Sequence, residues 1–434
     1  MTNRKIALAL ACALSAPIAA ETPLAVETFD AAWKIVRDSH FDPHMNGVDW
    51  NAVRTELRPR AAAAATPAEL RAVIREMLGR LGQSHFALIP SASDTSGADV
   101  VDTHGDPGFD VRLVGRDMLV THVDATGGAA DAAVRPGWRL LAVGSKPVSA
   151  LIDAFPSGTP DRLLQVEAWR AIENRLRGPE HSAVTVTFDD GTGRSVAKAI
   201  ERRPEPGEPV TVGHLPTMHV RVDAERQRTP SGASVGVIRF NVWMAAVDAQ
   251  FQDAVDNFRQ ADGIVIDLRG NPGGLAAMLM GISGHFLEER KPLGVMKTRD
   301  SEFRFVANPR LVSATGTKVR PFAGPVAILV DALTGSASEC FTGGMQAIGR
   351  ARVFGQPSMG QALPALFDKL PNGDVLIHAY ADFVTADGTR LEGRGVIPDE
   401  QVPLHREDLV AGRDAPLLTA LEWIDRARRG TAVQ

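Results

Sequence analysis

The sequence predicts an α/β protein in three successive parts: a helical N-terminal region, a small β-rich domain and a larger layered domain with a largely parallel sheet. Three observations carry this reading. Apolar residues recur at helical spacing up to residue 82, alternate with period two in parts of 109–123, and fall into alternating strand-like and helix-like runs from about residue 210. The changes of period place the parts at 21–95, 100–200 and 210–434. A chain of 434 residues is long enough for two to three domains of roughly 150 residues each.

Composition narrows the class. The chain is 44% apolar and 23% charged, as an ordinary globular protein is. Its formal net charge of -5 argues against nucleic acid as the main partner, because phosphate binding needs a basic surface. The apolar run Ile6 to Ala20 follows Arg4 and Lys5 and ends in Pro17-Ile18-Ala19-Ala20, the layout of a signal peptide over residues 1–20. It is too short to span a bilayer, so no stable membrane span is expected, and the chain is expected to be periplasmic or secreted. Cleavage would remove Cys12 and leave Cys340 as the sole cysteine, with no intramolecular disulfide.

The elements follow in order. Thr66-Pro67-Ala68-Glu69 has the cap, first-turn proline and reciprocal glutamate of a helix start. Leu70, Val73, Ile74, Met77, Leu78 and Leu81 then form one apolar face, and Gly82 is expected to stop the helix. Gln83-Ser84-His85 therefore sits on a loop just off a rigid rod. Residues 91–105 are poor in large apolar side chains and read as a linker. Strands are expected at Phe109, Val111, Leu113, at Met118 to Val123, around Arg139 to Val143 and at Ala183 to Phe188. In the last part, strands fit Val235–Phe240, Gly263–Leu268, Val326–Val330 and Val353-Phe354. Helices fit the face of Val247, Phe251, Val255 and Phe258, then Leu275–Phe286, Ser338–Ile348 and the C-terminal segment capped by Asp414.

Two strand-to-helix turns could carry chemistry. Asp267-Leu268-Arg269-Gly270-Asn271-Pro272-Gly273-Gly274 has glycines that let backbone amides face a crevice, where they can bind an anion or a developing oxyanion. On pattern alone it is equally a plain tight turn. Asp331-Ala332-Leu333-Thr334-Gly335-Ser336-Ala337-Ser338-Glu339 puts serines at the carboxyl end of a strand, where open α/β folds place ligands. Ser336 fits a nucleophile and Ser338 a cap or packing residue, although capping is the ordinary job of any serine there. There is no His-Glu-x-x-His motif, cysteine pair or phosphate-binding glycine-lysine loop, so neither metal nor cofactor is expected.

These two segments, followed by Gly349-Arg350-Ala351-Arg352-Val353-Phe354-Gly355 and Glu392-Gly393-Arg394-Gly395-Val396-Ile397-Pro398-Asp399, resemble in order the C-terminal-processing, or tail-specific, serine peptidase family. The resemblance runs from about residue 25 to 405. It implies a helical N-terminal region, a PDZ-like domain and a crotonase-like (ClpP/crotonase) protease core. Asp106-Pro107-Gly108-Phe109-Asp110-Val111 is similar to the PDZ carboxylate-binding loop, which implies peptide binding at Gly108, Phe109 and Val111. Arg135 to Val143 resembles a later PDZ strand, with Trp138 at the usual aspartate.

One departure matters for mechanism. The Ser-Lys branch has its lysine in a Thr-Phe-Gly-Lys-Gly segment, and here that segment reads Ser358-Met359-Gly360-Gln361-Ala362. Gln361 has no titratable group and cannot take a proton. Only eight of the 47 basic residues are lysines, and none stands there; Lys369 reads as a solvated loop charge. The tricorn-core-like branch uses a Ser-His-Ser-Glu set instead, and Ser84-His85 and Glu392 match it. That likeness implies Ser336 as nucleophile, His85 as base, Ser84 and Glu392 as its orienters, and an oxyanion hole from the amides of Ala337 and of Gly273 or a residue one or two away.

The expectation is an exported serine endopeptidase. It would hydrolyse peptide bonds near substrate C-termini through an acyl-enzyme, with polypeptides as partners. Two readings compete: an inactive ligand- or peptide-binding protein on the same scaffold, and an acyl-CoA enzyme of the crotonase kind, which suits an exported chain poorly. The sequence does not specify an oligomeric state.

Overall fold

A computed structural model describes residues 23–91, 105–213 and 217–431. The signal-peptide expectation and most of the 91–105 linker lie outside the described residues. Among those described, no helix is long and apolar enough to cross a membrane.

The N-terminal region is a three-helix unit: α1 (Pro23–Ser39), α2 (Trp50–Ala62) and α3 (Pro67–Gly79). Thr66 caps α3 by accepting from the Glu69 amide at 3.2 Å. The glutamate's return bond goes to the Ala65 amide, one residue earlier than a capping box places it. The expected apolar face is buried against Phe29, Trp33, Val36, Trp50 and Leu57. Each fully buried side chain of this kind contributes about 1.5–3 kcal/mol. The helix ends at Gly79 rather than Gly82; Gly82 instead supplies the left-handed turn (φ +61) that aims the Ser84-His85 segment inward. Strand β1 (Ala87–Ile89) follows.

The middle domain is built on a sheet of β2 (Phe109–Val114), β3 (Asp117–Val123), β4 (Arg139–Val143), β5 (Ala183–Asp189) and β6 (Ser195–Glu201), with β2 at one edge. Phe109, Val111 and Leu113 point into its core, as their period of two requires. A helix that the sequence reading did not place, α4 (Asp161–Leu176), packs beside β2. Its Ala168, Ile172 and Leu176 enter the domain core, whereas Val166 faces Leu333 and Met359 of the large domain.

The large domain holds a sheet ordered β7 (Val222–Arg228), β8 (Ser234–Phe240), β9 (Gly263–Asp267), β10 (Val326–Val330), β11 (Arg352–Gly355) and, at the end of the order, β14 (Glu400–Gln401). All pairs are parallel except β7 with β8. β9 and β10 are buried at every residue, the signature of a sheet covered on both faces. One face is covered by α5 (Ala246–Asn257), α6 (Met278–Gly284) and α7 (Ala337–Ala347), the other by α8 (Ala415–Thr431). The expected helix over 275–286 is shorter, because Gly273 to Leu275 continue along Trp243 before it can start. A second small sheet pairs β1 with β13 (Val375–Ala379) and β13 with β12 (Ala365–Lys369). Lys369 thus ends an exposed strand rather than lying in a loop, and Tyr380 falls just past β13, its hydroxyl on Met296 Sδ. Arg71 of α3 reaches Asp374 in the β12–β13 turn at 2.7 Å, with both side chains buried, so the N-terminal unit is fastened to the large domain next to the Ser84-His85 loop.

Candidate active site

Strand β10 ends at Val330, and the chain turns through Asp331–Gly335 into α7. Ser336 stands at the N-cap with φ +51 and ψ -119, a left-handed conformation that costs a residue with a Cβ about 1–3 kcal/mol. The surrounding contacts enforce it. The Ser336 amide donates to Gln361 O at 2.9 Å and to Glu339 Oε2 at 3.1 Å. Gly335 N donates to Asn271 O, joining this turn to the Asp267–Gly274 turn. A Cβ on Gly273 would lie 2.6 Å from Ser336 Cβ and 2.8 Å from the Ala337 amide, so only glycine fits there. Ser338, one of the two candidate caps, is not one: its buried hydroxyl accepts from Trp243 Nε1 at 2.8 Å, and the N-cap falls on Ser336.

Glu339 is the residue that the motif contained and the sequence reading gave no role. It is fully buried on α7. Its Oε1 accepts from Ser358 Oγ and the Gly360 amide, each at 2.6 Å, and its Oε2 from the amides of Ser336 and Gln361. Four donors fill the acceptor sites of one carboxylate. Burial pushes Glu339 up to about 7 against those donors. A Ser-x-x-Glu spacing across a helix start was the available signal.

Ser84, His85 and Glu392 meet although 308 residues separate the first from the last. The Ser84 amide donates to Glu392 Oε1 and its hydroxyl to Oε2, both at 2.9 Å. Ser84 Oγ lies 2.8 Å from His85 Nδ1. The hydroxyl's single proton is spent on the carboxylate, so Nδ1 must carry its own proton and donate to Oγ. That tautomer leaves Nε2 as the imidazole's free lone pair. Glu392 Oε2 also accepts from the Ala362 amide at 2.9 Å, one residue after Gln361 and hence one after Ser336's backbone partner. The structure therefore brings Ser336, Ser84, His85 and Glu392 onto one loop assembly. Among the described residues no hydrogen bond joins His85 to Ser336.

Gln361 turns its side chain away, to Arg170 of α4 (Nη2 to Oε1, 3.3 Å). Burial, and secondarily the Arg170 charge, lower His85 to about 4. Arg162, also on α4, donates through both terminal nitrogens to the carbonyls of Gly393 and Arg394, in the loop that carries Glu392. Neither arginine was legible as a site residue.

The amide of Ala337, the first residue of α7, adjoins Gly273. The Gly273 amide itself donates to Asn271 Oδ1 at 3.0 Å, and Asn271 Nδ2 is anchored on Phe240 O. From this corner a cleft of about 430 Å³ runs past Pro272 and Leu333 to Asp106, Gly108 and Phe109 of the middle domain. Val111 is fully buried in the domain core and Phe109 nearly so, though Phe109 lines the cleft, and Gly108 alone of the three expected peptide-binding residues sits half-exposed. Arg112 of β2 reaches Asp331 at 2.6 Å, and Asp331 also accepts from the amides of Gly270 and Leu333, binding the two candidate catalytic turns to each other. No cluster of three or more metal-ligating side chains occurs among the described residues.

Residues 234–402 match peptidase family S41, and residues 26–79 match the tricorn protease C1 domain. Both matches are to serine-peptidase models, and they fall on the large domain and on the N-terminal helices. The large domain carries the peptidase family S41 region, behind a tricorn C1-like helical unit. A putative tricorn protease homolog 2 of Streptomyces coelicolor is 25% identical over 415 residues, covering 92% of this chain and 32% of that protein. A probable CtpA-like serine protease of Staphylococcus aureus is 28% identical over 229 residues, 52% of this chain and 41% of that one. The chain therefore spans less than half the length of the curated relatives it matches. Among solved structures, a photosystem II D1 C-terminal processing protease superposes with TM-score 0.56 at 21% identity, covering 90% of this chain and 98% of that one. Tricorn protease gives 0.52 at 16%, covering 93% and 37%. These two likenesses are of fold.

Proposed function

We propose that the chain is an exported serine endopeptidase that cleaves polypeptides through a Ser336 acyl-enzyme, with His85 as its general base. The observation that carries the reading is the run Glu392–Ser84–His85, whose hydrogen bonds fix the imidazole tautomer with Nε2 unprotonated. In the first step the Ser336 hydroxyl proton passes to His85 Nε2 while Oγ adds to the scissile carbonyl carbon. The resulting oxyanion is held by the Ala337 amide and an amide of the Gly273-Gly274 turn. Gly274 is the better donor of the two, since the Gly273 N–H is engaged by Asn271. Collapse expels the amine, which takes the proton from His85, and water then hydrolyses the ester by the same relay. Glu392 stabilises the imidazolium through Ser84. Closing Ser336 onto His85 requires a rearrangement on substrate binding, as catalytic bonds commonly tighten only in the Michaelis complex.

On this reading the large domain is the crotonase-like protease core, and the middle domain is PDZ-like, its edge strand β2 and helix α4 forming the sides of a peptide groove. The Ser84-His85 pair supports the Ser-His-Ser-Glu branch over the Ser-Lys one, because Gln361 lends its backbone to Ser336 and its side chain to Arg170. The test is cleavage of an unfolded protein by wild type, Ser336→Ala and His85→Ala. Both variants should lose cleavage while keeping the wild-type melting temperature within a few degrees. Undiminished cleavage by His85→Ala would exclude the proposed base. Where along a substrate the cut falls depends on the middle-domain loop, considered next.

A further inference from the structure

A loop that holds a peptide's terminal carboxylate does so with backbone N–H groups that have no other partner. Two of the donors that the loop before β2 could offer are missing here. Pro107 has no N–H. The Gly108 N–H is taken by the chain itself, donating to Asp106 Oδ1 at 2.6 Å. A side-chain carboxylate thus already sits where a substrate's carboxylate would need to bind, and it is held firmly. Its other oxygen pairs with Arg177, Nη2 lying 3.1 Å away. Arg177 in turn binds Glu205 at 2.7 Å and lies 3.5 Å from Glu173 of α4, so three carboxylates converge on one guanidinium. All four residues line the cleft that leads to Pro272 and Leu333 beside the Ser336 turn. The other arginines of the cleft are engaged as well: Arg203 with Asp131, Arg221 with Asp124 and Asp223, Arg239 with Asp110, Arg112 with Asp331 and Arg269 with Asp267, so an incoming carboxylate would have to compete for a guanidinium already paired.

We propose that Asp106 is a specificity-determining residue: it occupies the carboxylate position of the middle-domain loop, so that the groove rejects a free C-terminal carboxylate and accepts the interior of a polypeptide or a neutral C-terminal amide. The inference rests on the peptidase reading for the groove's role, and it departs from the C-terminal preference that the family likeness implied. Neutral peptide groups can lie along β2 without displacing Asp106, because its contacts with Gly108 and Arg177 stay intact. A chain terminus cannot, because like charges at contact distance in a partly desolvated cleft repel.

The experiment uses the full chain and two matched libraries of ten-residue peptides with random interiors, one made as free acids and one as C-terminal amides. Binding is measured to Ser336→Ala, and cleavage with wild type. Amides should bind at least tenfold more tightly than acids, and the same ratio should appear in kcat/KM. Asp106→Ala, made in the Ser336→Ala background for binding, frees the Gly108 amide and should move the ratio at least tenfold toward the acids. Asp106→Asn keeps an acceptor for Gly108 without the charge and should move it part of the way. Because each ratio is taken within one preparation, partial unfolding of a variant does not alter it. A wild-type ratio near one, a preference for acids, no binding of either library, or an unchanged ratio in Asp106→Ala would overturn the proposal. Discriminating binding without any cleavage would leave it standing and sink the peptidase reading instead.

Discussion

Glu392 holds Ser84 twice, by its amide and by its hydroxyl, each at 2.9 Å. A residue held at both ends cannot rotate its hydroxyl freely, and the imidazole bonded to that hydroxyl inherits the constraint. Replacing the carboxylate by an amide removes the charge opposite the imidazolium and offers Ser84 only one acceptor oxygen. Glu392→Gln should therefore lower kcat/KM by about 100-fold or more with little change in KM. Steady-state kinetics on a fluorogenic peptide would check it. A drop confined to KM would mean that Glu392 binds substrate instead.

On the proposed mechanism the imidazole also sets the acid limit of activity. His85 lies at about 4 in the folded chain, so its neutral, basic form prevails from about pH 5 upward, and loss of this base should appear only as the pH falls toward 4. Arg170 contributes to that lowering. Removing its charge stabilises the imidazolium and raises the His85 value. In Arg170→Gln the acid limb of kcat/KM should accordingly move to higher pH, whereas a purely structural loss would scale the profile without shifting it.

Gly273 touches the nucleophile turn with no room to spare. In Gly273→Ala a methyl would press on Ser336 Cβ at 2.6 Å, at a backbone φ of +103 that side chains resist. The turn must open, at a cost of about 1–3 kcal/mol. Calorimetry should show a lower melting temperature, and activity should fall far more than stability, because the displaced atoms are those of the proposed nucleophile and oxyanion hole.

Arg112 and Asp331 form a nearly buried pair across the two domains, with side chains 15% and 12% exposed. Deleting the cation leaves the Asp331 charge uncompensated, with only the amides of Gly270 and Leu333 and the Thr334 hydroxyl as donors. Arg112→Ala should destabilise the chain by about 3 kcal/mol. It should also release the middle domain from the Asp331 turn, seen as faster amide exchange at Gly270 and Leu333. Arg112→Lys should restore part of the stability and little of the two-sided contact, since Arg112 also donates to Val111 O.

Much of this was legible in the residues. The strand Val326–Val330 reads without error because five successive apolar residues end at an aspartate, and Thr66 marks its helix because a cap acts locally. The Ser84-His85 pair was placed by the end of that helix. Helix α4 escaped notice for a physical reason: it serves two cores. Val166 turns to Leu333 and Met359 while Ile172 and Leu176 turn to the middle domain, so no single apolar stripe appears. Arg162 and Arg170 were hidden with it. Asp106 was hidden differently. Its sequence position suits a carboxylate-binding loop, and only the side-chain conformation reveals that the loop's amide is already taken.

The 308-residue span between Ser84 and Glu392 bears on the protein's life before it is folded. The proposed base follows the first helical unit, the proposed nucleophile comes from deep in the large domain and the proposed orienting carboxylate from a loop beyond that nucleophile. A ribosome must make the whole stretch between them before the last of these exists, and docking them requires long-range closure of the polypeptide. No partial product of synthesis, transport or proteolytic nicking contains the set. On the proposed mechanism, hydrolytic power arrives only with the completed tertiary structure, so assembly itself is the safeguard against cutting too early.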